Sequence, residues 1–506
     1  MNPTRTDADV IVVGAGNAAF AAGVSASEHG AATLMLERAP EEEAGGNTRF
    51  TAGAIRFAYR GADDLRLLMP DLSAKEMGES DFGAYTEDSF FDDMGRLTEY
   101  RTDPDLCELL VKGSRPTVQW MRDKGIRFVP SWGRQAFRID GRFTFWGGLA
   151  AEAWGGGPGL LGSWTEIARR QGIRVLHRCR AVSLLAGDGG VTGVRVRHDG
   201  RTMDMAARAV VLAAGGFESN AEWRARYLGP GWDLAKVRGT RFNTGDGIRM
   251  ALDIGAMPHG NWSGCHAVGW DRNAPEFGDL SVGDGFQKHS YPLGIMLNAR
   301  GERFVDEGAD FRHYTYAKYG GVILEQPGRF AWQLFDSKVL PLLRDEYRIR
   351  RATKATAHAL PELVGKLDGV DGRQALETIE RFNAAVRADV PFNPNLKDGR
   401  STVGLRVPKS NWANAIDRPP FEAYAVTCGI TFTFGGLRIT KDAQVLDVDL
   451  EPIPGLYAAG ELVGGLFYGN YPGGTGLMAG AVFGRIAGRS AARAASVTSE
   501  TAGGHV

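Results

Sequence analysis

Gly14, Gly16 and Ala19, with Glu37 closing the next apolar run, have the types and spacing of a pyrophosphate cradle. The segment DVIVVGAGNAAF places four apolar residues, 10–13, directly before the loop Gly14-Ala15-Gly16-Asn17-Ala18-Ala19. Such a run predicts a buried strand of a parallel sheet. Gly14 permits the sharp turn, Gly16 lets a pyrophosphate approach the backbone, and Ala19 lets the following helix pack close to the strand. The free N–H groups of that helix then face the phosphates. A second apolar run, 32–36, ends in Glu37-Arg38. A carboxylate at Glu37 accepts both hydroxyls of a ribose and repels a 2′-phosphate. Strand, glycine turn, helix and terminal acid together predict dinucleotide binding.

Several further segments place small residues where a flat or charged ligand needs them. Gly45-Gly46-Asn47-Thr48, continued by Thr51-Ala52-Gly53-Ala54, suits a loop along a pyrophosphate or ring, although a surface loop has the same composition. Residues 60–125 read as a helical insertion, with helices over 104–112 and 116–124. Asp103 is the N-cap of the first, Pro104 its first residue, and Gly113 its stop. Aromatics beside glycines at 143–148 and 154–158 either line a pocket or pack a core. A helix over 163–171 leads to a strand over 175–185, which carries Val182, then a glycine turn and a hairpin strand over 191–197. The strand 209–212 ends in Ala213-Ala214-Gly215-Gly216-Phe217, small residues at a carboxyl edge where a ligand is reached.

Composition narrows the class. The chain has 506 residues, which implies two large units. At 43% hydrophobic and 24% charged residues it has the makings of a sizeable soluble core. A net charge of −1 gives no basic footprint for nucleic acid. No apolar run reaches membrane-spanning length, and the opening MNPTRTDAD lacks the apolar core of a signal peptide, so a cytoplasmic location is expected. Cys107, Cys179, Cys265 and Cys428 are scattered, without the spacing of a metal, iron–sulfur or c-type haem site, and read as buried free thiols.

The opening fingerprint, the AAGG strand end, Thr244-Gly245-Asp246-Gly247 and Gly460-Glu461 occur in order over the whole chain. This set resembles the flavoproteins of the fumarate reductase and succinate dehydrogenase family, which includes L-aspartate oxidase and the 3-ketosteroid dehydrogenases. The likeness is greatest to the tricarballylate dehydrogenases. It rests on Gly264-Cys265-His266-Ala267, on FVDEGADFR at 304–312, on YTYAKYG at 314–320, and on GNYPGGTG at 469–476. The resemblance implies an α/β fold: a Rossmann-like FAD-binding domain, residues 1–260 and 421–506, interrupted by an α+β capping domain at 261–420. It implies FAD as the cofactor, with Glu461 on a ribityl or ribose hydroxyl. A helix over 476–492 would face the flavin pyrimidine with its N-terminus, where partial positive charge stabilises the anionic reduced ring, and Thr475, Gly476 and Leu477 are the contacts there. No histidine replaces Asn47-Thr48 as a covalent flavin ligand, so FAD is expected to be non-covalent. No haem or FMN attachment motif is present, so the electron acceptor would be external.

The same resemblance nominates the catalytic residues. In fumarate reductases an Arg soon after a G-x-R-F-x-x-E string moves the proton. Here GERFVDE occupies 301–307 and Arg312 follows, one residue later than the family's spacing. Arg312 serves equally as a forked carboxylate anchor. As a base it needs an acidic relay, for which Glu307, Asp306 and Asp310 are the candidates. His266 stands where the family has a substrate-carboxylate histidine. Two positions depart from the fumarate set: Thr431-Phe432 replaces a histidine, and Tyr471 replaces an arginine. Tyr471-Pro472-Gly473 is closer to the ketosteroid dehydrogenases, where a tyrosine near this point anchors a carbonyl or abstracts a proton. The expectation is an FAD-dependent dehydrogenase of a small polycarboxylate using Arg312, with His266 and Tyr471 as partners. A ketosteroid-like enone enzyme using Tyr471, a fumarate reductase-like reductase and a flavin-binding redox sensor are the alternatives. The substrate, the electron acceptor and the oligomeric state are not legible.

Overall fold

The computed structural model describes residues 7–503. Its first sheet is built around Ala8–Val13 (β1), which is buried almost throughout because it has a parallel neighbour on each side. The turn at Gly14 leads into the helix Asn17–Glu28 (α1), and the chain returns as Thr33–Leu36 (β2). On the other side of β1 lies Arg201–Leu212 (β3), so that Val10 faces Thr33 in β2 and Ala209 in β3. The sheet runs Cys179–Gly187, Gly190–His198, β3, β1, β2, Arg174–Leu176, and Pro452–Ala458 also pairs with β3. The carboxyl ends of β1, β2, β3 and Pro452–Ala458 therefore converge on one edge. The hairpin expected around 187–190 is present, and an interruption at 177–178 splits the expected strand 175–185 in two.

A second, mostly antiparallel sheet joins Pro258–Asp271 (β4) to Phe421–Leu437, whose pairing runs from Pro258 opposite Leu437 to Asp271 opposite Val426. Pro258–Asp271 crosses the boundary expected at 260/261, and Phe421–Leu437 begins at the one expected at 420/421. Its register slips between Asn261 and Cys265 and again after His266, and such bulges re-aim side chains next to a site. The helix Arg312–Leu324 (α2) lies on this sheet. Gly320 allows the contact, since a Cβ there would stand 2.4 Å from the Ala267 carbonyl carbon and the Val268 nitrogen.

The closing helix Thr475–Gly503 (α3) runs back along α1. A side chain at Gly484 would meet the Ala18 carbonyl at 2.4 Å and one at Gly488 the Ala22 carbonyl at 2.0 Å. This small-residue stripe brings the two helices into backbone contact, which aims the α3 N-terminus at the carboxyl edge of the first sheet. Asn17 locks the arrangement: its Nδ2 donates to the Leu477 carbonyl at 2.8 Å and its Oδ1 accepts from Trp164 at 2.9 Å.

The helices expected over 104–112 and 116–124 are one helix, Pro104–Lys124, with Asp103 capping the N–H groups of Asp105 and Leu106. Gly113 does not stop it because that residue is where the helix touches α3: a Cβ there would lie 3.1 Å from Val482. The helix ends instead at Gly125, in the left-handed region. The helix expected over 163–171 begins earlier, as Gly156–Arg170. All four cysteines are buried and free. Among the described residues no helix is long and apolar enough to cross a membrane.

Candidate active site

One continuous cleft runs from the carboxyl edge of the first sheet to the second sheet, enclosing about 1820 Å³ of space, mouth included. At its outer end, Gly14 has φ +119, and a Cβ there would strike the Ala213 carbonyl at 2.3 Å. Gly14 is therefore required by the fold itself. Gly16 differs: the nearest protein atom to its imaginary Cβ is Thr48 Oγ1 at 3.5 Å, so the missing side chain leaves open cleft rather than relieving a clash. That is a cradle a Cβ would fill, and its size and polarity fit a dinucleotide pyrophosphate. Glu37 is 7% exposed. Its carboxylate accepts from the Ala39 N–H at 2.7 Å, while burial pushes its pKa up. Arg38 reaches Asp246 at 3.0 Å, and Asp246 also takes both donors of Arg180 at 2.8 Å, closing the wall beside Glu37.

Further along, Asn47 donates to the Glu218 carboxyl and the Thr431 carbonyl, both at 2.6 Å, and accepts from the Thr240 N–H. Glu461 accepts from the Thr433 N–H at 2.8 Å and faces Glu218. Burial, with Glu461 beside it, holds the Glu218 carboxyl well above the usual range. Glu218 was not anticipated; an acid two residues beyond the AAGG strand end, before Asn243 and Glu461 had a place in space, carries no motif.

The residues nominated as cofactor contacts divide into two sets. Gly14, Ala15, Gly16, Asn17, Ala18, Glu37, Arg38, Gly46, Asn47, Thr48, Ala52, Ala213, Ala214, Gly215, Asp246, Gly460, Glu461, Gly476 and Leu477 line the cleft. Ala19, Gly53, Val182, Gly245 and Thr475 stand behind that lining. Val182 uses its carbonyl to hold Arg249, and Gly245 packs against Trp223.

The inner end is built by α2 and the 470–474 segment. Arg312 and Tyr316, one helical turn apart, share the α2 face that looks into the cleft, with the guanidinium 5.6 Å over the Tyr316 ring. Arg312 donates to the Arg134 carbonyl at 3.0 Å and lies 3.3 Å from His289 Nδ1. Burial lowers its pKa. Tyr471 is held in register because Asn470 donates to the Tyr314 carbonyl and the Gly473 N–H to that of His313. The buried Arg56 supports this segment from behind, donating to the Gly473 carbonyl at 2.8 Å.

His266 is buried behind this wall. It packs edge-on to Tyr316 and Tyr471, with ring centres at 4.8 and 4.9 Å, and neither ring nitrogen has a hydrogen-bond partner among the described residues. Burial keeps it neutral, its pKa well below the ordinary value. It supports the two phenols rather than facing the cleft.

The acids considered as relays are engaged elsewhere. Glu307 is fully buried in a pair with Arg303, Asp306 accepts from Ser410, and Asp310 pairs with Arg96 at 2.9 Å. In their place the inner cleft is lined by Arg134, Arg238 and His289, with Asp284 bonded to Arg238 at 2.8 Å. Arg134 and Arg238 lie in segments without a motif, and only the tertiary fold brings them to Arg312.

The family described as FAD binding domain matches residues 9–477. The Shewanella frigidimarina protein named "Probable fumarate reductase Ifc3" is 30% identical over 95% of this chain and 74% of its own length. A solved structure of the open conformation of a flavocytochrome c3 fumarate reductase superposes with a TM-score of 0.73 at 26% identity, covering 98% of this chain and 79% of its own. The 3-ketosteroid Δ1-dehydrogenase of Sterolibacterium denitrificans shares the fold, with a TM-score of 0.73 at 22% identity over 96% and 99% of the two chains.

Proposed function

This chain belongs to the FAD binding domain family and is an FAD-dependent oxidoreductase of the fumarate reductase kind, acting on C=C bonds or their saturated counterparts; on that premise we propose that it dehydrogenates a small polycarboxylate of the tricarballylate class. The observation that carries this reading is the inner cleft, where Arg134, Arg238 and Arg312 line one chamber and the single carboxylate Asp284 pairs with both Arg238 and Arg134. Buried guanidinium groups in that excess favour an anionic ligand, and their forked donors match carboxylates.

The residues divide the work. Gly16, the α1 N-terminus and Glu37 would hold FAD non-covalently by its pyrophosphate and ribose. FAD, when bound, supplies the two-electron acceptor for a hydride from one substrate carbon. Arg312 takes the proton from the adjacent carbon as it passes one of its own N–H protons to His289 Nδ1, 3.3 Å away, so that the imidazole carries the charge only during the step. Residues 261–420 act as a cap that shields the reacting bond from water. The electrons leave to an external acceptor, and the protein works in the cytoplasm.

A second reading, an enone dehydrogenase or reductase, draws on the Tyr316–Tyr471 pair and on Phe432 and Phe467, which give the same cleft an aromatic wall. An anaerobic substrate panel separates the two. Bleaching of the flavin by tricarballylate, with ketosteroids inert, supports the proposal; bleaching by an enone precursor alone overturns it.

A further inference from the structure

Behind Arg312, away from the glycine cradle, a second chamber opens. Its walls include Phe137, Trp146, Phe311 and Trp412. Phe137 and Trp146 stack with ring centres 5.8 Å apart, and Trp146 and Phe311 at 5.2 Å. Two guanidinium groups reach this aromatic chamber, those of Arg312 and Arg344. Arg344 is 8% exposed and donates to the Gly133 carbonyl at 2.5 Å. Among the described residues no carboxylate pairs with either arginine; Arg312 is bonded to His289 and the Arg134 carbonyl.

Two buried cations side by side, with the buried Glu346 carboxylate acting on both from beyond ion-pair distance, leave room for a further anion. Burial and the neighbouring Arg312 push Arg344 down to about 9. A third donor waits in the same chamber: the Trp146 Nε1–H is buried and has no partner among the described residues. The space left holds about two waters, the size of one carboxylate. Arg312 and His289 belong to the lining of both cavities, so the second chamber adjoins the main cleft at the residues that would hold the substrate.

We propose that this chamber is a carboxylate subsite in which Arg344 and Trp146 bind the distal carboxylate of the substrate, making the enzyme selective for tricarboxylic over dicarboxylic acids. The proposal rests on the polycarboxylate reading above and names the residues that would set chain length within it. Neither residue touches the reacting carbons, so the effect belongs in binding.

The test uses the FAD-loaded enzyme with tricarballylate (propane-1,2,3-tricarboxylate) and succinate, comparing wild type, Arg344→Gln and Trp146→Phe. Calorimetry gives dissociation constants whether or not turnover occurs, and anaerobic stopped-flow gives flavin bleaching. Loss of one charge-assisted carboxylate contact is expected to weaken tricarballylate binding about tenfold in Arg344→Gln, with succinate unchanged. Trp146→Phe keeps the ring and loses only the donor, and is expected to weaken tricarballylate about threefold. An equal loss for both acids, or no loss for tricarballylate, overturns the subsite. Arg344-dependent tricarballylate binding without bleaching keeps the subsite and overturns the dehydrogenase reading. Bleaching with Arg344-independent binding does the reverse, and neither binding nor bleaching overturns both.

Discussion

The hydroxyls of Tyr316 and Tyr471 stand 2.5 Å apart, joining α2 to the 470–474 segment at the inner end of the cleft. Both phenols are buried, and burial raises both pKa values, that of Tyr471 well above its ordinary range. A phenol held neutral donates a hydrogen bond well and serves poorly as a base. Tyr471→Phe is therefore expected to slow flavin bleaching by substrate about fivefold, the scale of one neutral hydrogen bond. Arg312→Ala removes the proton-transfer group and is expected to slow it by about 100-fold or more. Anaerobic stopped-flow at the flavin bands gives both rates. If the order reverses, Tyr471 carries the proton and the enone reading takes precedence.

Gly14 and Gly16 are two residues apart in one loop, yet the protein needs them for different reasons. A side chain at Gly14 strikes the Ala213 carbonyl, whereas one at Gly16 enters the open cleft. Gly14→Ala is expected to lower thermal stability even in the absence of cofactor, since the clash is with backbone and φ is +119. Gly16→Val is expected to purify folded, with a far-UV circular dichroism spectrum like wild type, but with little bound FAD. A full complement of flavin in Gly16→Val would remove the pyrophosphate from this loop.

The dinucleotide half of the site was legible because its physics is local. The glycine turn, the strand before it, the helix after it and Glu37 all lie within one strand–helix–strand unit, and their periodicity is visible in a single window. The inner end was legible only in part. Arg312 and Tyr471 stood in recognisable strings. Arg134, Arg238, His289 and Arg344 did not, because nothing in their immediate surroundings distinguishes them from surface cations or a core histidine. They become a site only when the second sheet and α2 fold against the first domain. The same gap explains the acids near Arg312. Glu307, Asp306 and Asp310 are close to Arg312 in sequence, but each is engaged by a partner outside the cleft.

Glu307 gives a direct test of that last point. Its carboxylate is fully buried, accepts from the Met296 N–H at 2.8 Å and pairs with Arg303. Removing one member of a buried pair strands the other charge, at a cost of about 3–5 kcal/mol. Glu307→Gln is therefore expected to lower the denaturant midpoint strongly while leaving the pH dependence of flavin bleaching unchanged in the folded fraction. A shifted pH profile with unaltered stability would return Glu307 to the proton path.

The contact between Arg312 Nη1 and His289 Nδ1, 3.3 Å long, sets the last prediction. For the ring to accept there, His289 must be neutral, with its proton on Nε2. Burial holds its pKa well below 6.5, and Arg312, Arg238, Arg134 and His266 around it act in the same direction. Tyr316 meets the ring edge-on at 4.9 Å. His266 and His313 are lowered in the same way, again chiefly by burial. The sign for stability follows. On unfolding, these three rings regain ordinary pKa values near 6.5 and bind protons that the folded protein excludes, so stability falls as pH drops through about 6.5. Activity behaves differently. Burial keeps the resting His289 ring neutral around neutral pH, so kcat/KM for flavin reduction is expected to be flat between about pH 6 and pH 8. His289→Phe removes the acceptor and is expected to lower kcat about tenfold without introducing or removing an acidic limb. An acidic limb near pH 6.5 in wild type that disappears in His289→Phe would show that the imidazole is already charged in the resting enzyme, and the neutral-acceptor assignment would fall.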